Sequence, residues 1–353
     1  MQSYGVTEWG KPLQQIVRET PAPGPNEVLI RMSYCGVCHS DLHVRQGYFD
    51  MGGGVKNSLA DRIPLPVVLG HEPIGVVAAV GSEVSGVPVG ATYLVNPWIG
   101  CGKCPVCLQG QDNLCERMAS LGIARPGGFS THLMVPDKRY LVDVDGIDPA
   151  RAAVLACSGV TAYSAVTKLG PPLPGHWLAV IGCGGLGLIG IAILRALGYT
   201  EVIACDIDDS KLEAARAAGA QQVLNLQRGG GKELVAMAQG GLAGMIDFVG
   251  APSTSALAVP GLRKGGRFVT VGLIGGTGTF PLVALALREI ALMGSAMGNT
   301  AQMRELVELV RSGRLTLPAV QVRPLAQAEE SLQALEAGQV TGRIVLDTQT
   351  PAG

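Results

Sequence analysis

The sequence predicts an α/β protein in two parts, a β-rich amino-terminal part and a doubly wound parallel sheet. At 353 residues the chain is too long for one ordinary core. Its first third is rich in glycine and proline and carries short β-branched runs at 28–30, 76–80 and 91–95, the texture of an irregular β domain. From about Gly159 apolar strands begin to alternate with helical periodicity, and such alternation produces right-handed βαβ units whose sheet is covered on both faces.

The spacing predicts strands at 178–181, 202–205, 222–224, 246–249 and 268–271, with helices at 185–197, 210–218 and 232–239 between them. A further helix is expected over 301–312, then another helix and a strand at 343–346. That tail is too short to fold alone, so it is expected to pack back on the amino-terminal part.

Hydrophobic residues make up 47% and charged residues 16%, which excludes a disordered chain. Lys+Arg number 27 against Asp+Glu 28, so no basic field exists to attract nucleic acid or an anionic membrane. Residues 1–10 lack a basic stretch followed by an apolar core, and a cytoplasmic location is expected. The apolar run 178–197 is interrupted by five glycines and suits a strand, turn and helix better than a membrane span. In a reducing compartment the 9 cysteines point to metal ligation before disulfides.

Gly182-Cys183-Gly184-Gly185-Leu186-Gly187 follows a buried strand and opens a helix, the context that gives a G-x-G-x-x-G string meaning. Glycines there let the backbone turn tightly and approach a pyrophosphate, which meets the helix N–H groups. Asp206 ends the next strand about 20 positions on, where a carboxylate accepts the adenosine ribose hydroxyls and repels a 2′-phosphate, favouring NAD over NADP. A strand-end turn or helix cap is the plainer role for Asp206.

Cys101, Cys104, Cys107 and Cys115 have the spacing C-x2-C-x2-C-x7-C among glycines and a proline. Four thiolates on a tight loop fit a closed tetrahedral zinc that stabilises rather than catalyses; an iron–sulfur cluster is the competing reading. Cys38, His71 and Cys157 lie far apart, and each alone is an ordinary core residue. Together they compose a two-thiolate, one-imidazole zinc set with its fourth position left for water or substrate.

Gly70-His71-Glu72-x-x-Gly75, the four-cysteine segment and Gly182 to Gly187, in this order, resemble the zinc-dependent alcohol dehydrogenases of the medium-chain dehydrogenase/reductase family. The match extends over essentially the whole chain. It is nearest the tetrameric, broad-specificity archaeal and bacterial branch through Cys38-His39-Ser40-Asp41-Leu42-His43, Val95-Asn96-Pro97-Trp98 and Cys157-Ser158-Gly159.

The resemblance implies a GroES-like catalytic domain from residues 1–158 and 297–353, with its structural zinc lobe at 95–116, and a Rossmann NAD-binding domain at 159–296. It implies two zinc ions per chain, a catalytic one on Cys38, His71 and Cys157 and a structural one on the four-cysteine lobe. The implied reaction is reversible oxidation of a primary or secondary alcohol to an aldehyde or ketone by hydride transfer from a zinc-stabilised alkoxide to NAD. Asp41 would fix the tautomer of His71, and Glu72 would lie beside the metal. Ser40 would receive the alcohol proton and pass it through the cofactor ribose to His43. His39 and Arg343 would meet the pyrophosphate, Lys211 the adenosine ribose, Thr161 the nicotinamide side, and the backbone near Val249, Val271 and Leu273 the carboxamide. Trp98 is a candidate wall of the substrate pocket, and a homotetramer is implied, with a dimer as the smaller assembly.

Two features depart from the family pattern. The segment between Asp41 and Gly70 is long and carries Gly52-Gly53-Gly54, and Ala91 stands where an acidic residue is usual. A polyol or sugar dehydrogenase of the same family is the nearest rival, though such enzymes commonly replace a cysteine ligand by an acidic residue, and Cys157 is intact. A noncatalytic nicotinamide-binding protein and a zinc-ribbon nucleic-acid binder are the readings from other classes.

Overall fold

The computed structural model describes residues 1–349. The amino-terminal half is built on a seven-stranded sheet, in the order Leu141–Asp143, Thr92–Val95, Pro73–Val80, Val28–Gly36, Arg343–Asp347 and Val320–Pro324, with His132–Val135 also pairing Val28–Gly36. The expected return of the tail is therefore literal. Arg343–Asp347 inserts between the long strand Val28–Gly36, which it meets antiparallel, and Val320–Pro324, which it meets in parallel.

The second half is a six-stranded parallel sheet in the order Gln222–Asn225, Val202–Asp206, Leu178–Ile181, Leu242–Asp247, Leu262–Thr270 and Ala291–Gly294. Numbered along the chain this order is 3-2-1-4-5-6, so the direction of winding reverses between Leu178–Ile181 and Leu242–Asp247. A crevice opens at the carboxyl ends of the strands at such a point, and open α/β sheets bind their ligands there.

Two strand expectations need correction, and one strand lies outside them. The strand placed at 246–249 is Leu242–Asp247, because the Asp247 carboxylate accepts the N–H groups of Val249 and Gly250 and turns the chain. The strand at 268–271 begins earlier, at Leu262, and the edge strand Ala291–Gly294 carries too short an apolar run to be foreseen.

One core cluster spans both halves. Ser158–Thr167 is a helix with nearly every side chain buried, and its Val160, Ala162 and Val166 join Cys38, Leu94 and Trp98 from one half to Val180, Ile189 and Ile246 from the other. The long segment after Asp41 folds into the helix His39–Gln46 and a hairpin, Tyr48–Asp50 with Lys56–Ser58. The hairpin tip at Gly52 abuts the Gly276 carbonyl of the second half. Arg45 clamps this helix to the tail through Glu329 at 2.7 Å and Glu336 at 2.6 Å. Among the described residues no helix is long and apolar enough to cross a membrane.

Candidate active site

Cys38 ends the turn that follows Val28–Gly36, and its position is set from the tail, since the neighbouring Val37 N–H donates to the Ile344 carbonyl. His71 follows Gly70, a left-handed residue, and Cys157 immediately precedes the buried helix Ser158–Thr167. The ligand atoms of these three residues all lie within 4.8 Å of one another, and all three side chains are buried.

One carboxylate organises the set. Asp41 Oδ1 accepts from His71 Nδ1 at 3.1 Å and from the Gly70 N–H at 3.2 Å, while its Oδ2 accepts from the Cys38 N–H at 3.0 Å. Asp41 thus ties together the two segments that carry Cys38 and His71. With Nδ1 committed as a donor to Asp41, Nε2 presents a lone pair. That nitrogen is buried and has no hydrogen-bond partner, which costs on the order of 1–3 kcal/mol unless something binds it.

The field in the pocket favours a cation. Burial opposes charge on His71, yet Asp41 and Cys38 prevail and hold the imidazole well above its ordinary value. Contact with the Cys157 thiol, then His71, holds Cys38 well below the usual thiol range, while Cys157 is driven up by Cys38 and by burial. Two sulfurs and an orphaned imidazole nitrogen in such a field are a donor set that fits zinc.

Glu72 lies beside the set with both oxygens engaged. Oε1 accepts from the N–H and hydroxyl of Ser158 at 3.1 and 3.0 Å, and Oε2 pairs with Arg343 at 2.5 Å. Burial raises the Glu72 carboxyl while Arg343 pulls it down, leaving it above its usual value. Arg343, only 5% exposed, passes its aliphatic stem over Gly185, where an added side chain would collide with it. It therefore spans the metal-ligand cluster and the glycine turn, and the Ser158 and Arg343 partnerships of Glu72 have no local signal in the sequence.

At the turn, Gly182 adopts φ +88 and a side chain there would meet Val249, while one at Gly187 would lie 1.9 Å from the Gly182 carbonyl. Only glycine fits at either position. Gly184 precedes the helix Gly185–Ala196 without a side-chain cap, and nothing lies within 4 Å of where its side chain would be, so the first amides have room for an anion. This cradle fits a pyrophosphate. Asp206 closes the neighbouring strand; its carboxylate accepts from the N–H groups of Cys183, Ile207 and Asp208, and the helix cap is Asp208 instead.

The remaining expected residues differ in burial and in what they touch. His39 is exposed at the start of its helix, Ser40 Oγ sits 3.8 Å from Cys38 Sγ, and His43 packs on Phe49 with ring centroids 5.2 Å apart. Thr161 and Val271 are buried, Val249, Leu186 and Lys211 are half-buried, and Leu273 is 52% exposed. Trp98 is buried and tilted against His71, with centroids 5.6 Å apart.

The four cysteines of the lobe also converge, with ligand atoms within 4.8 Å. Cys101–Cys107 and Cys104–Cys115 sulfur pairs lie 4.0 and 3.8 Å apart, close to the ~3.8 Å edge of a tetrahedron with 2.3 Å zinc–sulfur bonds. The Lys103 N–H, helped by that of Cys104, draws the Cys101 thiol down to about 6. A ready thiolate on a tight loop fits a structural zinc.

Two family models match the chain, the alcohol dehydrogenase GroES-like domain over residues 24–146 and the zinc-binding dehydrogenase domain over residues 185–312. An NAD-dependent alcohol dehydrogenase from Sulfurisphaera tokodaii is 35% identical over 98% of this chain and 99% of its own. The crystal structure of an alcohol dehydrogenase from Aeropyrum pernix superposes with a TM-score of 0.88 at 31% identity, covering 99% of this chain and 100% of that one. A cobalt- and zinc-bound thermostable alcohol dehydrogenase from Pyrobaculum aerophilum gives 0.84 at 29% identity, with 99% of each chain covered.

Proposed function

The chain belongs to the zinc-dependent alcohol dehydrogenases of the medium-chain dehydrogenase/reductase family, and from that premise we propose which of its own residues carry NAD-dependent alcohol oxidation and what each one does. The observation that supports the reading best is the orphaned His71 Nε2, buried between two cysteine ligands and joined to the glycine turn through Glu72 and Arg343.

Zinc supplies a Lewis acid for the hydroxyl or carbonyl oxygen and NAD supplies the hydride acceptor. Cys38, His71 and Cys157 hold the metal, and Asp41 keeps Nε2 of His71 facing it. Cys101, Cys104, Cys107 and Cys115 hold the second zinc. The amides after Gly184, with His39 and Arg343, bind the pyrophosphate; Asp206 and Lys211 bind the adenosine ribose; Thr161, Val249, Val271 and Leu273 border the nicotinamide. Residues 1–158 and 297–353 form the metal-holding half and residues 159–296 the nucleotide-holding half.

Ser40 takes the alcohol proton and His43 delivers it to solvent. Burial holds His43 below its ordinary value, against a smaller upward pull from Cys38, so it is neutral and ready to accept a proton at pH values down to about 6.5 and below. A base with a depressed pKa loses its accepting form only as pH falls through that value. The kcat–pH profile for alcohol oxidation is therefore expected to keep its plateau to below about pH 6.5, and His43→Gln to flatten the acid limb. An unchanged limb in that variant would remove His43 from the relay.

The experiment for the whole reading is an initial-rate panel of primary, secondary and aromatic alcohols with NAD and NADP, run beside zinc analysis. Asp206→Ser belongs in the same panel: losing the repulsion of a 2′-phosphate should cut discrimination against NADP by at least about tenfold. Retained discrimination would show that Asp206 only braces the turn.

A homotetramer is the assembly we infer. The helix Leu282–Arg288 buries none of its side chains, leaves Leu282, Val283 and Leu287 more than 70% exposed, and leads into the edge strand Ala291–Gly294. An apolar face beside an open sheet edge suits a second copy of the chain. Light scattering should give the mass of four 36.4 kDa chains. A cytoplasmic location accords with six cysteines grouped as metal ligands.

A further inference from the structure

We propose that the indole N–H of Trp98 is a hydrogen-bond donor to substrate, and that it selects alcohols bearing a second oxygen on the adjacent carbon: vicinal diols, and α-hydroxy ketones in the reverse direction. The proposal rests on the dehydrogenase reading and names the substrate class of the same site.

Two adjoining rings carry it. His71 and Trp98 lie with centroids 5.6 Å apart at an interplanar angle of 51°, and on each ring one buried nitrogen has no partner, Nε2 of His71 and Nε1 of Trp98. The imidazole nitrogen is accounted for by the metal set. The indole nitrogen is not, because it is a donor only and cannot ligate. Trp98 is 4% exposed and belongs to a core cluster made mostly of apolar side chains, among them Ile74, Leu94 and Val142, in which its Nε1 finds no acceptor. Folded proteins leave few buried donors orphaned, and those that remain call for a ligand or a functional explanation.

The backbone that carries the ring is also braced by the carboxyl-terminal part of the same half. The Trp98 main-chain N–H donates to Asn96 Oδ1 at 3.1 Å, and Asn96 Nδ2 donates to Thr300 Oγ1 at 2.7 Å. Such support suits a group that must meet a ligand in one orientation. A steric wall needs no N–H and would sort substrates by size alone. A donor on the ring that packs against the metal-binding imidazole sorts them by polarity: the second oxygen of a vicinal pair accepts from the indole, whereas a simple alcohol leaves the indole unpaired. A site built to hydrogen-bond a substrate hydroxyl rejects the analogue that lacks it.

The test uses the full-length, zinc-loaded protein and two alcohols of nearly equal size, 2,3-butanediol and 3-methyl-2-butanol, in which a methyl replaces the second hydroxyl. For the unaltered chain kcat/KM should favour the diol by about tenfold or more. Calorimetric titration of the NADH complex, in which an alcohol cannot be oxidised, should give the same preference in Kd. Trp98→Phe retains an aromatic ring and removes the donor, so both ratios should fall to near one, whatever loss the two alcohols share. Because the preference is read first on the unaltered chain, a misfolded variant does not remove the test. Equal handling of the two alcohols by the unaltered chain, or a preference that survives Trp98→Phe, overturns the donor role and leaves the dehydrogenase reading intact. Failure to oxidise any alcohol in the panel overturns both.

Discussion

Cys157→Ala is expected to lower kcat for alcohol oxidation by about three orders of magnitude or more and to leave one zinc per chain where the parent protein holds two. The metal's polarisation of oxygen contributes several kcal/mol to the barrier, and about 4 kcal/mol corresponds to a thousandfold. Cys157 is one of the three donors that converge there among the described residues, so its loss leaves a two-point site that cannot hold the ion in place. The fold should tolerate the change, since alanine fills most of the volume ahead of a helix already well buried. Emission spectroscopy for zinc and steady-state rates on the same sample decide the matter. A variant with two zinc ions and activity within tenfold of the parent would mean that Cys157 is only a core thiol.

Glu72→Ala is expected to destabilise the fold by about 3–5 kcal/mol, the usual cost of stranding one member of a buried ion pair. Arg343 would be left beneath the surface without its carboxylate, and the Ser158 N–H would lose its acceptor. Arg343→Ala should cost a similar amount by stranding Glu72. The paired variant Glu72→Gln with Arg343→Met should recover most of the loss, because no uncompensated charge remains. Urea midpoints of the three variants measure this directly. Single variants within about 1 kcal/mol of the parent would show that solvent already reaches the pair.

How far the sequence could be read depended on the distance between interacting residues. The four lobe cysteines occupy 101–115, and the glycine turn occupies 182–187, so spacing alone exposes their chemistry. Cys38, His71 and Cys157 become a set only through resemblance, because nothing local to each residue distinguishes a ligand from a core thiol or imidazole. The Glu72–Arg343 pair and the Arg45 clamp to Glu329 and Glu336 join residues more than 250 positions apart, and their partners are chosen by sheet order. Periodicity carries no record of that. The misplaced strand at 246–249 has a different origin: an apolar run continued past Asp247, while the chain turns there because a carboxylate captures two backbone amides.

The closing strand bears on how the protein is made. Arg343–Asp347 emerges about 300 residues after Val28–Gly36, and at 5–20 residues per second that separates the two by roughly 15–60 s of translation. Through that interval the Tyr34–Gly36 edge lacks its neighbour and Val37 lacks the carbonyl that anchors it. The nascent first half thus leaves the ribosome with an open seam beside Cys38, exposed to misassociation, and the pocket around Cys38 cannot be finished until Arg343–Asp347 has been made.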